Sequence, residues 1–344
     1  MKAIVLREHG GLEQLRYETV ADPVPAAKQV VVRVRASGLN HCDIDVRNGT
    51  FGVQHKLPHV MGVDAAGEVL AVGGDVTLWK VGDRVAPHFM VSCGHCANCR
   101  NGRENICENA DILGVTVWGG YAEKLVVPES NLIALPDTVS FVDAAASMVP
   151  FATAWEALIT TARLQAGETV LINAAGGGVG SHAVQIARLA GARVIASVGA
   201  DDKADKVMAL GADAVINYRS ETLVDGVKRL TGGRGVDVAF DGVGGDILKQ
   251  SLKALADGGR LASIGAHGGE VVDIDMIEFF RKHITLLGCG RSTREIAATV
   301  LGLMAAGRLK PVLQGTYPLE RAAEAQALME SRNFFGRIIL QPAA

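Results

Sequence analysis

Four of the six cysteines fall in one short stretch, Cys93-x2-Cys96-x2-Cys99-x7-Cys107, with Gly94, Asn98, Gly102 and Asn105 between the thiols. A tetrahedral zinc ion needs four thiolates about 2.3 Å from one point. Closely spaced cysteines on a turn-rich loop supply them without help from the rest of the fold. Such a shell leaves no open coordination position, so the site it predicts is structural. Free buried thiols or disulfides are the competing readings of the same spacing. A disulfide scaffold, however, would be a smaller chain with more dispersed cysteines, and this usage suits a reducing cytoplasm. His95 lies inside the loop, where four thiols already fill the shell, and reads as a solvated side chain.

A second chemical signal runs from Val170 to Ser181, where an apolar strand enters Ala174-Ala175-Gly176-Gly177-Gly178-Val179-Gly180 and then a helix. Glycines permit a tight turn and close backbone approach, and the helix N-terminus favours a pyrophosphate. A lone glycine motif is weak, but here a strand precedes it, a helix follows, and a second strand comes after. The stretch is read as a dinucleotide-binding turn.

The end of that second strand bears on the cofactor. An acidic residue there would hydrogen-bond the adenosine ribose 2′-hydroxyl of NAD. Val198 occupies that position in Ala196-Ser197-Val198-Gly199-Ala200-Asp201-Asp202-Lys203. Ser197 and Lys203 are candidates to bind a 2′-phosphate, so NADP(H) is expected over NAD(H). Asp201 and Asp202 are read as N-caps of the next helix.

These sites need elements to carry them. The chain has 344 residues, enough for two cores, with 49% hydrophobic and 21% charged residues. A net charge of −3 gives no nucleic-acid footprint. No apolar run approaches the roughly 18 residues of a membrane span. Met1 to Arg7 meets a charge too early for a signal peptide and reads as a first strand.

The first 125 residues are short apolar runs cut by glycine and proline, such as Gln29 to Arg35 and Glu68 to Val72, which predicts a compact β unit. From Asp143 to Arg163 the chain is alanine-rich and helix-like. Strands and helices then alternate, with strands expected at Thr169–Asn173, Arg193–Val198, Ala214–Ile216, Val236–Phe240, Arg260–Ile264 and Ile284–Leu287. That alternation predicts a parallel, doubly wound sheet with right-handed crossovers. An amphipathic helix at Glu295–Ala306 and a terminal strand at Arg337–Leu340 follow, the latter free to return to the first domain.

On these features the sequence resembles the medium-chain dehydrogenase/reductase superfamily from end to end. Beside the cysteine loop, the matching segments are Gly119-Gly120-Tyr121-Ala122-Glu123, Thr153-Ala154-Trp155, Ala174 to Gly180, Gln185 to Arg188 and Val236 to Asp241. The resemblance implies an α/β chain with a GroES-like, mostly β catalytic domain over residues 1–150. A Rossmann NADP-binding domain over 151–288 and a C-terminal return over 289–344 would follow. It also implies dinucleotide contacts from Thr153, Gly177, Gly178, Val179, Gly180, Ser197, Lys203, Tyr218, Val243, Gly265 and Cys289.

The departures from the zinc alcohol dehydrogenase pattern carry as much information. That pattern places a ligand cysteine two residues after a glycine, where Gly38-Leu39-Asn40-His41-Cys42-Asp43 has Asn40. Its Gly-His-Glu motif becomes Gly62-Val63-Asp64, and its third ligand falls at about Val149. A catalytic zinc needs three protein ligands and an open position. Asn40 and the Gly62–Gly67 segment instead resemble the quinone oxidoreductase branch, most of which lacks the cysteine loop. A rearranged metal site would have to draw on His41, Cys42, His55, His59, Asp64 and His88. Read as a strand, the segment would put Cys42 on the same side as Asn40.

The expected function is therefore NADPH-dependent hydride transfer to an enone, enal or quinone, with one structural zinc and no catalytic one. Conjugate addition delocalises charge into the π-system, so modest hydrogen-bond donors suffice. Asn40 and Thr153 are placed near the nicotinamide. Tyr121 is either a proton donor, a pocket wall or a structural aromatic of its turn. The alternatives are an alcohol dehydrogenase with a non-standard metal site and an idle NADPH-binding regulator. The partners expected are a small-molecule substrate and further copies of the chain, as a homodimer or homotetramer joined through Ile284–Gly288, with neither nucleic acid nor membrane.

Overall fold

The computed structural model describes residues 1–53 and 56–343. The chain divides into two compact units, one of Met1–Val149 with Thr293–Ala344 and one of Pro150–Ser292.

The first unit is built on β-branched and apolar strands. Gln29–Gly38 is its central strand, pairing antiparallel with Ala66–Val72 on one side and with Lys124–Pro128 along its first half. Its last residues pair antiparallel with the terminal strand Arg337–Gln341, at Ile339 against Gly38 and Leu340 against Ser37. Val30, Val32, Val34, Val69, Val85, Leu125 and Val127 from these strands pack into one core. A second core joins Ile4, Leu6, Leu39, Met61 and Tyr121 to Ile338, Leu340 and the helix Ala322–Ser331. The segment Thr293–Ala344 thus belongs to the first unit, where the apolar strand Arg337–Gln341 packs into its core.

The cysteine loop leaves this unit through a short antiparallel pair, Met90–Val91 with Asp111–Ile112. That pair pinches the base of the loop, so the intervening residues form a self-contained excursion.

The second unit is a six-stranded parallel sheet. Its order is Ala214–Asn217, Arg193–Val198, Thr169–Ile172, Val236–Asp241, Leu255–Ser263, Thr285–Gly288. Strand order reverses between Thr169–Ile172 and Val236–Asp241, the place where a doubly wound sheet opens a ligand crevice. Leu171, Ile195, Ala239 and Leu261 are fully buried, as expected of strands covered on both faces. The last strand, Thr285–Gly288, lies at the sheet edge with Leu286 exposed.

The alanine-rich segment forms the helix Phe141–Trp155, continued as a π-helical turn over Glu156–Thr161. Ser140 accepts the Asp143 N–H at 3.0 Å and so starts it. Among the described residues no helix is long and apolar enough to cross a membrane.

Candidate active site and zinc loop

In the cysteine loop the four sulfurs lie within 4.8 Å of one another. Cys93 Sγ is 4.0 Å from Cys99 Sγ, and Cys96 Sγ is 3.9 Å from Cys107 Sγ. Four ligands about 2.3 Å from a tetrahedral zinc stand about 3.8 Å apart, so the donors fit the ion. Backbone N–H groups already point at the sulfurs: Cys93 N to Cys107 at 3.4 Å, Cys96 N to Cys93 at 3.4 Å, Cys99 N to Cys96 at 3.5 Å. Such donors stabilise thiolate charge, and they lower the Cys96 thiol to about 6. The short helix Ala97–Arg100 begins on Cys96, which places Cys99 one turn away. The His95 ring contacts the Cys93 carbonyl at 2.8 Å, on the exposed side.

In the second unit the glycine turn is shaped as a cradle. Ala174 takes φ of +49°, and a Cβ on Gly180 would stand 2.3 Å from the Ala174 carbonyl oxygen. The helix Gly178–Leu189 starts at Gly177 with no side-chain cap, leaving its first N–H groups to a ligand. Gly177, Gly178 and Val179 are partly exposed, while Gly180 is buried against the turn. A close-approach backbone at a helix N-terminus fits a dinucleotide pyrophosphate. Beneath it Asn173 Nδ2 donates to Asp241 Oδ1 at 3.1 Å and to Ser251 Oγ at 2.7 Å. Val243 and Gly265 sit in the loops after the next two strands, both partly exposed.

Beyond the second strand, three cations gather. Burial first, then repulsion by Lys206 and Arg219, holds the Lys203 ammonium below its ordinary range, with Asp202 opposing. Tyr218 is 41% exposed, and its hydroxyl would lie 2.3 Å from any Cβ placed on Gly199.

The expectations for Ser197 and for the Asp201-Asp202 pair need correcting. Ser197 is fully buried and donates its hydroxyl to Asn173 Oδ1 at 3.0 Å, so it braces the turn and reaches no phosphate. Asp201 and Asp202 cap no helix by side-chain bonds; they form a 3₁₀ turn, and Asp201 Oδ1 accepts from Asn217 Nδ2 at 2.6 Å. Arg219, next to Tyr218, went unread, although a basic residue beside a polar aromatic was its signal.

In the first unit, the residues at the three zinc-ligand positions surround Asp64. Asn40 Nδ2 donates to Asp64 Oδ2 at 2.9 Å, and the Val149 N–H to Asp64 Oδ1 at 2.9 Å. Arg337 donates to Asp64 Oδ2 at 2.7 Å and to Asn40 Oδ1 at 2.9 Å. Burial pushes the Asp64 carboxyl up, and the Arg337 charge opposes it. Val63 is buried and offers no donor atom.

Asn40 therefore spends both ends of its amide on Asp64 and Arg337, and the expectation that it touches the reactants gives way to a positioning role. Cys42 does not share a strand face with it. Asn40 precedes the helix His41–Asn48, and Asp43 Oδ2 reaches back to the Asn40 N–H at 2.8 Å. This is half of a capping box, a helix-start signal that the strand reading overlooked. Tyr121 is wholly buried, and its hydroxyl donates to Asp43 Oδ2 at 2.9 Å. The phenol has no exposed surface, which is the environment of a structural aromatic. Burial raises Asp43 to about 7, opposed by the Asn40 N–H and Tyr121 hydroxyl bonds.

Among the described residues, the four loop cysteines are the one group of three or more His, Cys, Asp or Glu donors close enough to share an ion. His41, Cys42, His59, Asp64 and His88 form no such group, and His55 lies outside the described residues.

A mostly β unit with a four-thiolate loop, joined to a dinucleotide-cradling parallel sheet, defines an oxidoreductase of the zinc-dehydrogenase type. Residues 26–137 match the family "Alcohol dehydrogenase GroES-like domain", and residues 178–306 match "Zinc-binding dehydrogenase". The chain is 34% identical to a quinone oxidoreductase of Sus scrofa, over 99% of this chain and 97% of that one. It is 32% identical to an acryloyl-coenzyme A reductase of Metallosphaera sedula, over 99% of each. A crystal structure of an NAD-dependent alcohol dehydrogenase superposes with a TM-score of 0.96 at 40% identity, covering 99% of both chains. The chain belongs to the medium-chain dehydrogenase/reductase superfamily.

Proposed function

We propose that this enzyme is an NADPH-dependent reductase that delivers hydride to an electron-poor enone, enal or quinone, with a structural zinc and no catalytic metal. The observation that carries the reading is the Asp64 network. A metal site would gather lone pairs at Asn40, Val63 and Val149. What gathers instead is an amide N–H, a backbone N–H and a guanidinium, all hydrogen-bond donors. The Arg337 charge already balances Asp64, so a nearby cation would meet repulsion rather than a vacant ligand.

The bound dinucleotide would supply the hydride. The glycine turn would hold its pyrophosphate, and Lys203, Tyr218 and Arg219 its phosphorylated adenosine. Thr153, Val243, Gly265 and Cys289 are assigned to the nicotinamide half. The three cations at Lys203, Lys206 and Arg219 support the 2′-phosphate, and with it NADPH. Alkene and quinone acceptors suit the site because no charged Lewis acid is needed to stabilise their delocalised anions.

Metal analysis with a substrate panel tests this. We expect one zinc per chain and faster NADPH oxidation with enones and quinones than with simple ketones. Two metals per chain, with activity abolished by a chelator, would establish the alcohol dehydrogenase reading instead. We also propose self-association through the exposed edge strand Thr285–Gly288, and a reducing, cytoplasmic setting for six cysteines that form no disulfide.

A further inference from the structure

Outside the Asp64 network, the second unit holds another group of buried polar side chains with unmet hydrogen bonds. Glu156 is 9% exposed, and its Oε2 has no partner. Its Oε1 accepts from the Thr161 hydroxyl at 3.3 Å. Cys289 lies close enough to feel the Glu156 charge and to bond Thr161. Ser292, three residues on, is fully buried with an unpartnered hydroxyl. An acid buried with a free oxygen costs stability unless something completes it. The carboxylate also sits on the π-helical turn Glu156–Thr161, where Ala162 N bonds Ala157 O across the widened ring. Such turns recur at functional sites.

The sheet says what could complete it. A dinucleotide crosses a doubly wound sheet at the strand reversal, with its adenosine ribose at the end of the second strand. Here that end is Val198, with Lys203 and Arg219 beyond. The nicotinamide then falls on the other side of the reversal, over the C-terminal ends of Val236–Asp241, Leu255–Ser263 and Thr285–Gly288. Cys289 directly follows the last of these, its N–H bonded to Ser263 O at 2.9 Å. The Glu156 group is therefore on the nicotinamide side.

We propose that the Glu156 side chain is the partner of the nicotinamide carboxamide, pairing with it as a neutral acid with an amide. This rests on the dinucleotide reading above. In the pair Oε1 accepts an amide N–H while the Oε2 hydroxyl donates to the amide carbonyl, two bonds that fix the ring's rotation. Burial raises the Glu156 carboxyl above its usual range, against the Thr161 hydroxyl bond, a shift in the direction of the neutral acid the pair uses.

Binding constants decide it. The ligands are NADP⁺, its 3-acetylpyridine analogue, which lacks the amide N–H, and 2′-phospho-ADP-ribose, which lacks the ring. The protein is wild type, Glu156→Gln and Glu156→Leu. Wild type should prefer NADP⁺ over the acetyl analogue by about tenfold, the worth of one or two buried hydrogen bonds. Glu156→Gln, which can still accept and donate, should keep that preference. Glu156→Leu should bind NADP⁺ about tenfold more weakly and lose the preference, while binding 2′-phospho-ADP-ribose as wild type does. Unchanged NADP⁺ binding and preference in a folded Glu156→Leu would overturn the proposal alone, and so would loss of the preference in Glu156→Gln. Failure of wild type to bind either 2′-phospho-ADP-ribose or ADP-ribose would overturn the dinucleotide reading, and the proposal with it.

Discussion

The Arg337 guanidinium meets the Asp64 carboxylate at 2.7 Å, with side-chain exposures of 3% and 0%. The two are 273 residues apart in the chain. Arg337 opens the terminal strand, and Asp64 leads into the strand Ala66–Val72, so the pair ties the C-terminal segment to the first unit. Removing one partner of a buried pair leaves an uncompensated charge, which typically costs about 3–5 kcal/mol. Asp64→Asn and Arg337→Met should each lower unfolding stability by about that amount in urea titrations. The apolar double replacement should recover part of the loss. Single variants within about 1 kcal/mol of wild type would show the pair to be slack.

Two of the turn's four glycines, Gly177 and Gly180, should separate folding from binding. A Cβ on Gly177 meets only the Ala174 oxygen, at 3.3 Å, whereas one on Gly180 meets it at 2.3 Å. Gly177→Ala should keep the wild-type Tm yet bind NADPH more weakly, because the methyl projects where the pyrophosphate approaches. Gly180→Ala should lose both stability and binding. Equal Tm values for the two variants would contradict the geometry.

What could be read from the sequence, and what could not, follows from how far apart the cooperating residues lie. The thiols and the glycine turn are each local: one loop or one strand-turn-helix contains the whole device, so spacing alone reveals it. The parallel sheet was legible for the same reason, since each crossover unit is contiguous. The Asp64 network was not, because its parts come from four distant segments. A charge at the head of the apolar run Arg337-Ile338-Ile339-Leu340 was the single hint. The strand reading around Cys42 failed on a different point. Eight residues are too few for periodicity to separate helix from strand, and the capping pair Asn40 and Asp43 was the better signal. Glu156 stood out only as an acid in an alanine-rich helix, which by itself says nothing of what it faces.

The cysteine loop also anchors a helix. Glu104 Oε1, inside the loop, accepts the Arg294 N–H at 3.0 Å in the first turn of Arg294–Ala305, and the Arg294 guanidinium donates to the Ser130 carbonyl. Four-thiolate zinc is folding free energy for such a loop. Cys99→Ser should therefore lose the zinc and lower the Tm. Hydrogen exchange should then quicken at the start of Arg294–Ala305 as well as in the loop. Faster exchange confined to the loop would mean the Glu104 contact carries no load.

His88 should impose a pH dependence on stability. Burial drives its ring down to about 4, and its Nε2 is enclosed without a partner. The folded value lies below the ordinary 6.5, so the fold favours the neutral ring. Its contribution is fully present above pH 6.5 and is lost as pH falls toward 4, because the unfolded chain then takes a proton that the folded chain refuses. Between pH 7 and pH 5 that loss amounts to roughly 2 kcal/mol. His88→Leu fills similar space and cannot titrate. The fall in unfolding free energy from pH 7 to pH 5, measured in urea with zinc present, should be smaller in the variant by roughly that amount. The thiols and carboxylates titrate alike in both proteins, so the difference between the two slopes isolates His88, and identical slopes would show that its ring reaches solvent in the folded state.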